Sequence, residues 1–491
     1  MATNDHGPTA RTATASAPPV GSPVRVVTPA LIVLLAWQLM VVIDGTIVTI
    51  ALPQIRENLG FSEEGLSWVV NIYALAFGGL VLLGSRASDA FGRRRMLVVG
   101  VTVFSLASLI GFVAWTPGVL IAGRVLQGIG AAMAAPSSLS LITTNFAEGP
   151  ARNKALGLAA GVAGLGGSVG LVMGGVLTSW LSWHWVFFVN VPIGMAVALL
   201  APRVVKDAPP QPGRLDVVGG ATSTIGVTAL VYGFIHASEH GWRDAETVGA
   251  FAAAVILLAA FAAIERRSDH PLIPARLLEH RDRVVALLLM LMVPTVTFGV
   301  FYFLTQYMQN LLAMSAIATG FAFLPFSAIV VAGSKYVPDV TQKLGARLVV
   351  MVGSAIMLGG VLMLSRLDDS STYGLGILPG MVLTAAGVVL TFVPLNLLIM
   401  GTVAPEDSGI ASGLVQTMQQ VGSAIGIALM ISVFAARERD ALDRGAEAAV
   451  ATVEGMQGGY LAAALVTALV LALATVALRR RVAVPAPASA A

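Results

Sequence analysis

Apolar runs long enough to cross about 30 Å of hydrocarbon at 1.5 Å per residue recur along this chain, separated by short polar breaks. Fourteen such runs are predicted as helices, near 31–53, 66–84, 96–115, 118–143, 155–178, 185–201, 215–236, 247–264, 284–306, 315–334, 346–365, 374–400, 409–435 and 458–478. The pattern predicts an all-α integral membrane protein. The first 28 residues are polar and rich in Pro, Ala and Thr, and read as a disordered tail. The run from Leu31 is too long for a signal-peptide core and is expected to be retained.

An even number of spans puts both termini on one side, and the distribution of cations chooses the side. The tails and loops on the terminal side carry 22 Lys and Arg, the opposite loops six. Cytoplasmic loops of membrane proteins carry the excess, so both termini are expected in the cytoplasm. Six of the seven Trp (Trp68, Trp115, Trp180, Trp183, Trp185 and Trp242) fall at the opposite helix ends, where an interfacial aromatic belt would place them.

The polar breaks also repeat. GSRASDAFGRRRMLVVG at 84–100 is echoed by GSKYVPDVTQKLGARLVVMVG at 333–353, with Gly, Ser, a cation, Asp and Gly-x-Arg in order; Gly92 to Gly100 and Gly345 to Gly353 keep the same spacing. The expected organisation is a tail over 1–28, a six-helix bundle over 29–201, two inserted helices with their loops over 202–283, a second six-helix bundle over 284–478, and a tail over 479–491. Internal repeats of this kind are typical of transporters that rock around a midplane site.

Composition narrows the reading further. Hydrophobic residues make up 56% of the 491-residue chain and charged residues 11%, against roughly 25% charged in soluble domains. Lipid is the expected solvent, and nucleic acid is not an expected partner. The absence of Cys excludes disulfides, thiolate metal sites and cysteine nucleophiles. No GxxxxGK[ST] phosphate loop is present, so the chain has no nucleotide-driven engine of its own.

Few charges interrupt the apolar runs, and those few carry the candidate chemistry. Asp44 sits mid-helix in VVIDGTIVTIALP, where a charge costs about 2.5–3.5 kcal/mol on insertion scales. Burial disfavours the ionised form, which makes Asp44 a candidate proton carrier or counter-charge; the structural alternative is a carboxylate paired to a neighbouring helix. Arg124, in GRVLQGIGAAMAAP, stays protonated at any physiological pH and must find acceptors, in Asp44 or in backbone carbonyls. A clamp between helices is its structural alternative. Aligning Pro136 with Pro394 puts Val382 opposite Arg124, so proton chemistry is expected only in the first half.

The fifth helix presents Gly157, Gly161, Gly166, Gly170 and Gly174, with Gly175 alongside, a face on which another backbone can approach closely. Its repeat mate carries Gly409, Gly413, Gly422 and Gly426. Asp89, Arg93 and Arg94 in the first glycine-rich turn are read as a conformational latch, the plainer alternative being ordinary positive-inside topology. Uncharged polar side chains available to line a substrate cavity are Gln38, Asn71, Tyr73, Gln127, Asn190, Gln306, Gln309, Asn396, Gln416 and Gln420. One short pattern points elsewhere: His236-Ala-Ser-Glu-His240 matches the HxxEH of a zinc protease helix, although it ends a span and runs into Gly241, as a helix exit does.

Taken jointly, these motifs resemble the major facilitator superfamily, and within it the fourteen-helix drug:proton antiporters, over nearly the whole chain. IDGTIVTIALP is similar to that branch's first-helix signature, with Asp44 at its acidic position. Asp89, Gly92, Arg93 and Arg94 match the loop signature, Arg124, Gln127 and Gly128 the fourth-helix signature, and WHWVFFVNVPIG (183–194) the sixth-helix entry. The chain departs from the family pattern at Ser85, where Gly is usual, at Leu171, where Pro is usual in the antiporter signature, and at His184, where Arg is usual.

The resemblance implies proton-coupled efflux of amphipathic, monocationic or neutral drugs or antibiotics across the cell membrane by alternating access, with Asp44 and Arg124 near the coupling step and no cofactor, metal or catalytic residue. The expected partners are a small-molecule substrate, protons and the bilayer, as monomer or homodimer. The alternatives are a proton symporter or facilitator importing a nutrient and, more remotely, a membrane metalloenzyme using His236 and His240.

Overall fold

The computed structural model of the chain describes residues 27–146, 150–207, 216–268, 271–368, 370–403 and 408–478. Both expected tails lie essentially outside these residues. Within them the chain is helical throughout: α1 Pro29–Leu59, α2 Glu63–Phe91, α3 Arg93–Phe112, α4 Pro117–Asn145, α5 Pro150–Trp180, α6 Trp185–Val204 and α7 Val217–His240. The remainder are α8 Ala245–Arg267, α9 Arg281–Leu311, α10 Ala316–Leu344, α11 Ala346–Leu364, α12 Tyr373–Gly401, α13 Ser408–Asp443 and α14 Ala448–Ala477. Among the described residues thirteen of these are long and apolar enough to cross a membrane, while α5 shows a shorter apolar stretch, Val169–Trp180.

Local chemistry sets the helix ends. Thr28 accepts a hydrogen bond from the Leu31 amide and Pro29 opens α1, an N-terminus whose first N–H groups need an outside acceptor. Gly60 closes α1 at φ +69°. The repeat seen in sequence is visible in the backbone: Gly92 (φ +95°) and Gly345 (φ +84°) each end one helix and open the next, a left-handed conformation that glycine adopts without strain.

Packing repeats too. On α5, a Cβ at Gly170 would meet the Ile43 carbonyl at 2.9 Å and one at Gly174 the Ile47 carbonyl at 2.7 Å, so α5 lies directly on α1. On α13, a Cβ at Gly422 would stand 2.0 Å from the Leu291 carbonyl and one at Gly426 2.1 Å from the Thr295 carbonyl, so α13 lies in the same way on α9. Small residues let helices approach where apolar lipid supplies no hydrophobic drive. Gly157, Gly161 and Gly409 fall outside the described side chains.

The two ends of the bundle differ. At the end opposite the termini, a Cβ at Gly175 would meet the Ala316 carbonyl at 2.6 Å and one at Gly320 the Leu171 carbonyl at 2.6 Å; Ser179 Oγ accepts from the Ile317 amide and Gln309 donates to the Ile50 carbonyl. There α1 and α5 close on α9 and α10. Toward the terminal end a cavity lies between α1, α4, α12 and α13. On one side α2 and α13 stay in contact, with Gly78 against Gln420 and Gly413 against Leu82. Helices α7 and α8 pack on each other and lie outside, Val231 and Ile235 meeting Ala74, Leu75, Ala424 and Ala428.

Exposed Trp115, Trp180 and Trp242 lie near the opposite ends of their helices as expected, but Trp183 is buried and stacked on His184, with ring centroids 3.7 Å apart. Gly422→Ala is expected to destabilise the protein by about 1–3 kcal/mol, since its methyl group would overlap backbone. Gly249→Ala, whose Cβ meets nothing within 4 Å, is the control. Thermal unfolding in detergent checks this, and equal midpoints for the two variants would refute the tight α9–α13 contact.

Candidate functional site

Asp44 lies halfway along α1 on the side facing α2, α4 and α6, and is fully buried. A carboxylate there must replace its lost water with donors, and three side chains provide them. Arg124 Nη1 of α4 donates to Asp44 Oδ2 at 2.7 Å; Gln127 Nε2, one turn along the same helix, donates to Oδ1 at 3.0 Å; and Asn190 Nδ2 of α6 donates to Oδ1 at 2.8 Å.

Arg124 is only 1% exposed and is satisfied in turn. Its Nε donates to the Val69 carbonyl at 2.8 Å, its Nη1 also to Gln127 Oε1 at 2.9 Å, and its guanidinium lies over the Tyr73 ring, 4.2 Å from the centroid. Gln127 Nε2 donates again, to Ser108 Oγ of α3, at 2.8 Å. Helices α1, α2, α3, α4 and α6 thus converge on one ion pair. In a water-poor site such a pair is held by geometry and by full hydrogen bonding, and breaking it strands a charge.

The cavity borders α1 on the N-terminal side of Asp44, from Trp37 to Val42. It measures about 280 Å³ and is lined by Gln38, Val41 and Val42 of α1, Ala135, Pro136 and Ser138 of α4, Asn396 of α12, and Ser412, Gln416 and Gln419 of α13, among others. Among the described residues no charged side chain lines it, and Asp44 is not on its wall. Along α1 the ion pair lies beyond the lining residues, toward the C-terminal end of the helix.

Several expected positions are relocated. Gln38, Asn396 and Gln416 line the cavity, but Gln127 and Asn190 belong to the Asp44 cluster, and Tyr73 lies beneath Arg124. Asn71 is fully buried, and neither end of its amide has a partner. Gln420 packs against Gly78; Gln309 bonds to Ile50; and Gln306 borders a water-sized space of about 20 Å³ at the opposite end, beside Tyr302 and Phe434. Gln419 and Ser108 were not singled out from the sequence. Gln419 stands one turn from Gln416, a spacing that would have found it, whereas Ser108 in an apolar helix gives no signal.

In the first glycine-rich turn, Arg93 Nε and Nη2 donate to Asp89 Oδ1 at 3.1 and 3.0 Å, a local pair across one turn. Arg94 reaches farther: its amide donates to Asp207 Oδ1 beyond α6, and its side chain to the Val205 carbonyl. Arg86 donates to the Pro271 carbonyl in the connection after α8. Glycines Gly166, Gly170 and Gly174 lie on α1, and Gly175 on α10.

His236 and His240 are engaged with an acidic loop and with each other. His236 Nε2 lies 3.1 Å from Asp244 Oδ2, and its ring stacks on His240 with centroids 4.2 Å apart. Among the described residues no group of three potential ligands converges, and Glu239 falls outside the described side chains. Asp244 instead caps α8, and the amides of Glu246 and Thr247 hold its carboxyl below the usual carboxylate range. Burial lowers the pKa of the His184 imidazole, whose ring stacks on Trp183.

Comparison with known proteins adds the following. Residues 34–427 match the family model of the Major Facilitator Superfamily. The chain is 39% identical to the puromycin resistance protein pur8 of Streptomyces alboniger over 439 residues, covering 88% of this chain and 87% of that one. It is 41% identical to the cephamycin export protein CmcT of Amycolatopsis lactamdurans over 411 residues, covering 83% and 85%. In structure it resembles a bacterial homologue of the human lysosomal transporter Spinster, with a TM-score of 0.67 at 16% identity over 94% of this chain and 98% of that one.

Arg124→Gln in the presence of Asp44 is expected to cost about 3–5 kcal/mol, as expected when one partner of a buried pair is removed. Adding Asp44→Asn should recover part of that loss, because no charge is then left alone. A double-mutant cycle on thermal stability measures the coupling; strictly additive losses would show that the two side chains act independently.

Proposed function

This chain belongs to the major facilitator superfamily and is a multi-pass membrane transporter rather than an enzyme, and from that premise we propose that it exports small amphipathic drugs or antibiotics in exchange for protons. The observation that carries the reading is the buried Asp44–Arg124 pair, which adjoins the cavity along α1 without lining it. Protonating Asp44 removes the counter-charge of Arg124, which loosens α1 from α4; α1 forms part of the cavity wall, so the change reaches the substrate without direct contact. Related proteins named for puromycin resistance and cephamycin export support the substrate class.

In this reading fourteen helices cross the membrane and both termini are cytoplasmic, in keeping with the 22 cations on the terminal side. The cavity then opens inward, and the contact of α5 on α10 closes the outer side. Asp89, Arg93 and Arg94 act as the latch, with Arg94 tying the α2–α3 turn to the segment after α6. The uncharged wall favours a neutral or singly charged amphipath whose polar groups meet Gln38, Asn396 and Gln416. A nutrient importer would use the same fold, and direction of net flux separates the two.

In proteoliposomes with an imposed pH gradient, the intact protein is expected to move lipophilic monocations and neutral amphipaths against the proton flux. Asp44→Asn is expected to lose gradient-driven movement at least tenfold. Undiminished coupled transport in that variant would place the coupling elsewhere, and accumulation alongside the protons would make the protein an importer. Gln416→Leu is expected to raise KM roughly fivefold with kcat little changed, the loss of about one hydrogen bond made equally in ground and transition states. An unaltered KM would remove Gln416 from the binding wall.

A further inference from the structure

All three hydrogen bonds received by Asp44 come from N–H donors, an arrangement suited to the ionised carboxylate. When Asp44 takes up a proton, one oxygen becomes an O–H donor, and a buried donor without an acceptor is costly. The neighbouring amides differ in their freedom to supply that acceptor. Gln127 is pinned: its Oε1 already accepts from Arg124 Nη1, while its Nε2 donates to both Asp44 and Ser108. Asn190 is not. Its Nδ2 donates to Asp44 Oδ1 at 2.8 Å, but its Oδ1 is buried and receives no hydrogen bond.

A half-turn of the Asn190 amide about its Cβ–Cγ bond exchanges Nδ2 for Oδ1 without moving the backbone. We propose that Asn190 reads the protonation state of Asp44 by reversing its amide, donating through Nδ2 to the carboxylate and accepting through Oδ1 from the carboxylic acid. The inference rests on Asp44 as the proton carrier. The step balances: hydronium gives up a proton and becomes water, Asp44 Oδ1 gains the O–H bond that hydronium loses, and the new O–H is received by Asn190 Oδ1. Asn190 is thus a positioning residue on α6 that keeps α6 bonded to α1 in both states, while the attraction of Asp44 for Arg124 is lost in one.

The charged and titratable groups facing Asp44 are few. Arg124 comes from α4 and Tyr73 from α2; α3 and α6 present Ser108 and Asn190; and α5 meets α1 through glycines. On α9, Asp282 and Arg283 stand in its first turn. Tyr73 Oη also lacks a partner and is the competing acceptor.

Infrared difference spectra of the full chain between high and low pH test the proposal. A protonated carboxyl band that vanishes in Asp44→Asn identifies the carrier. In Asn190→Leu that band is expected to move to higher wavenumber, as an acid that has lost its acceptor does, and the pH midpoint of its appearance to move as well. In intact protein carrying ¹³C-asparagine, which avoids any change at 190, one carboxamide C=O band is expected to shift to lower wavenumber together with the acid band, and not in Asp44→Asn. An acid band unmoved by Asn190→Leu, or moved only by Tyr73→Phe, overturns the role of Asn190 while leaving Asp44 as carrier. Absence of any band dependent on Asp44 overturns both.

Discussion

A carboxylate and a guanidinium that have both been taken out of water must find every hydrogen-bond partner they need from protein, and the first half of this molecule is arranged around that demand. Asp44 and Arg124 draw Gln127, Asn190, Ser108, the Val69 carbonyl and the Tyr73 ring to one point, so that five helices are fixed relative to each other by polar contacts in an otherwise apolar bundle. In the second half α9 and α13 meet by close backbone contact at Gly422 and Gly426, joined by a hydrogen bond from Thr295 Oγ1 to the Gly422 carbonyl. The buried Asp–Arg pair belongs to the first half among the described residues, although the two backbones repeat.

The glycine faces and the polar cluster do different work on α1. Gly166, Gly170 and Gly174 let α5 lie against one side of it, Asp44 binds it to α4 and α6 on another, and Gln38, Val41 and Val42 leave a third side to the cavity. Helix α1 is thus held on two sides by contacts of different character, one made by glycine backbone and one by a buried ion pair. The close contacts at Gly175 and Gly320 lie at one end of the bundle and the cavity toward the other.

Much of this was legible from residue order. The spans follow from the length of the apolar runs, the repeat from Gly92 and Gly345 at matched positions, and the importance of Asp44 and Arg124 from the cost of placing any charge in lipid. Amides carry no such signal. Gln127, Asn190, Gln306 and Gln420 look alike in an apolar helix, since each can be tolerated in several environments, and they end up in an ion-pair cluster, a small outer space and a helix interface. The HxxEH pattern looked like chemistry because its spacing puts both histidines on one helix face; the fold instead sets Asp244 beside His236 and uses that face to cap and stack.

Residue order alone thus set out the all-helical membrane architecture, the repeat and the two mid-helix charges that the fold buries as a pair, because hydrophobic length, glycine geometry and buried charge are constraints each residue imposes locally. That Asp44 is not on the cavity wall, that Asn190 rather than Gln127 has an unused acceptor, and toward which end of the bundle the cavity lies became visible only in the packed helices. Those facts depend on the rotation of each helix about its axis and on which neighbours it meets, and a helix of nearly uniform apolarity does not encode its own rotation.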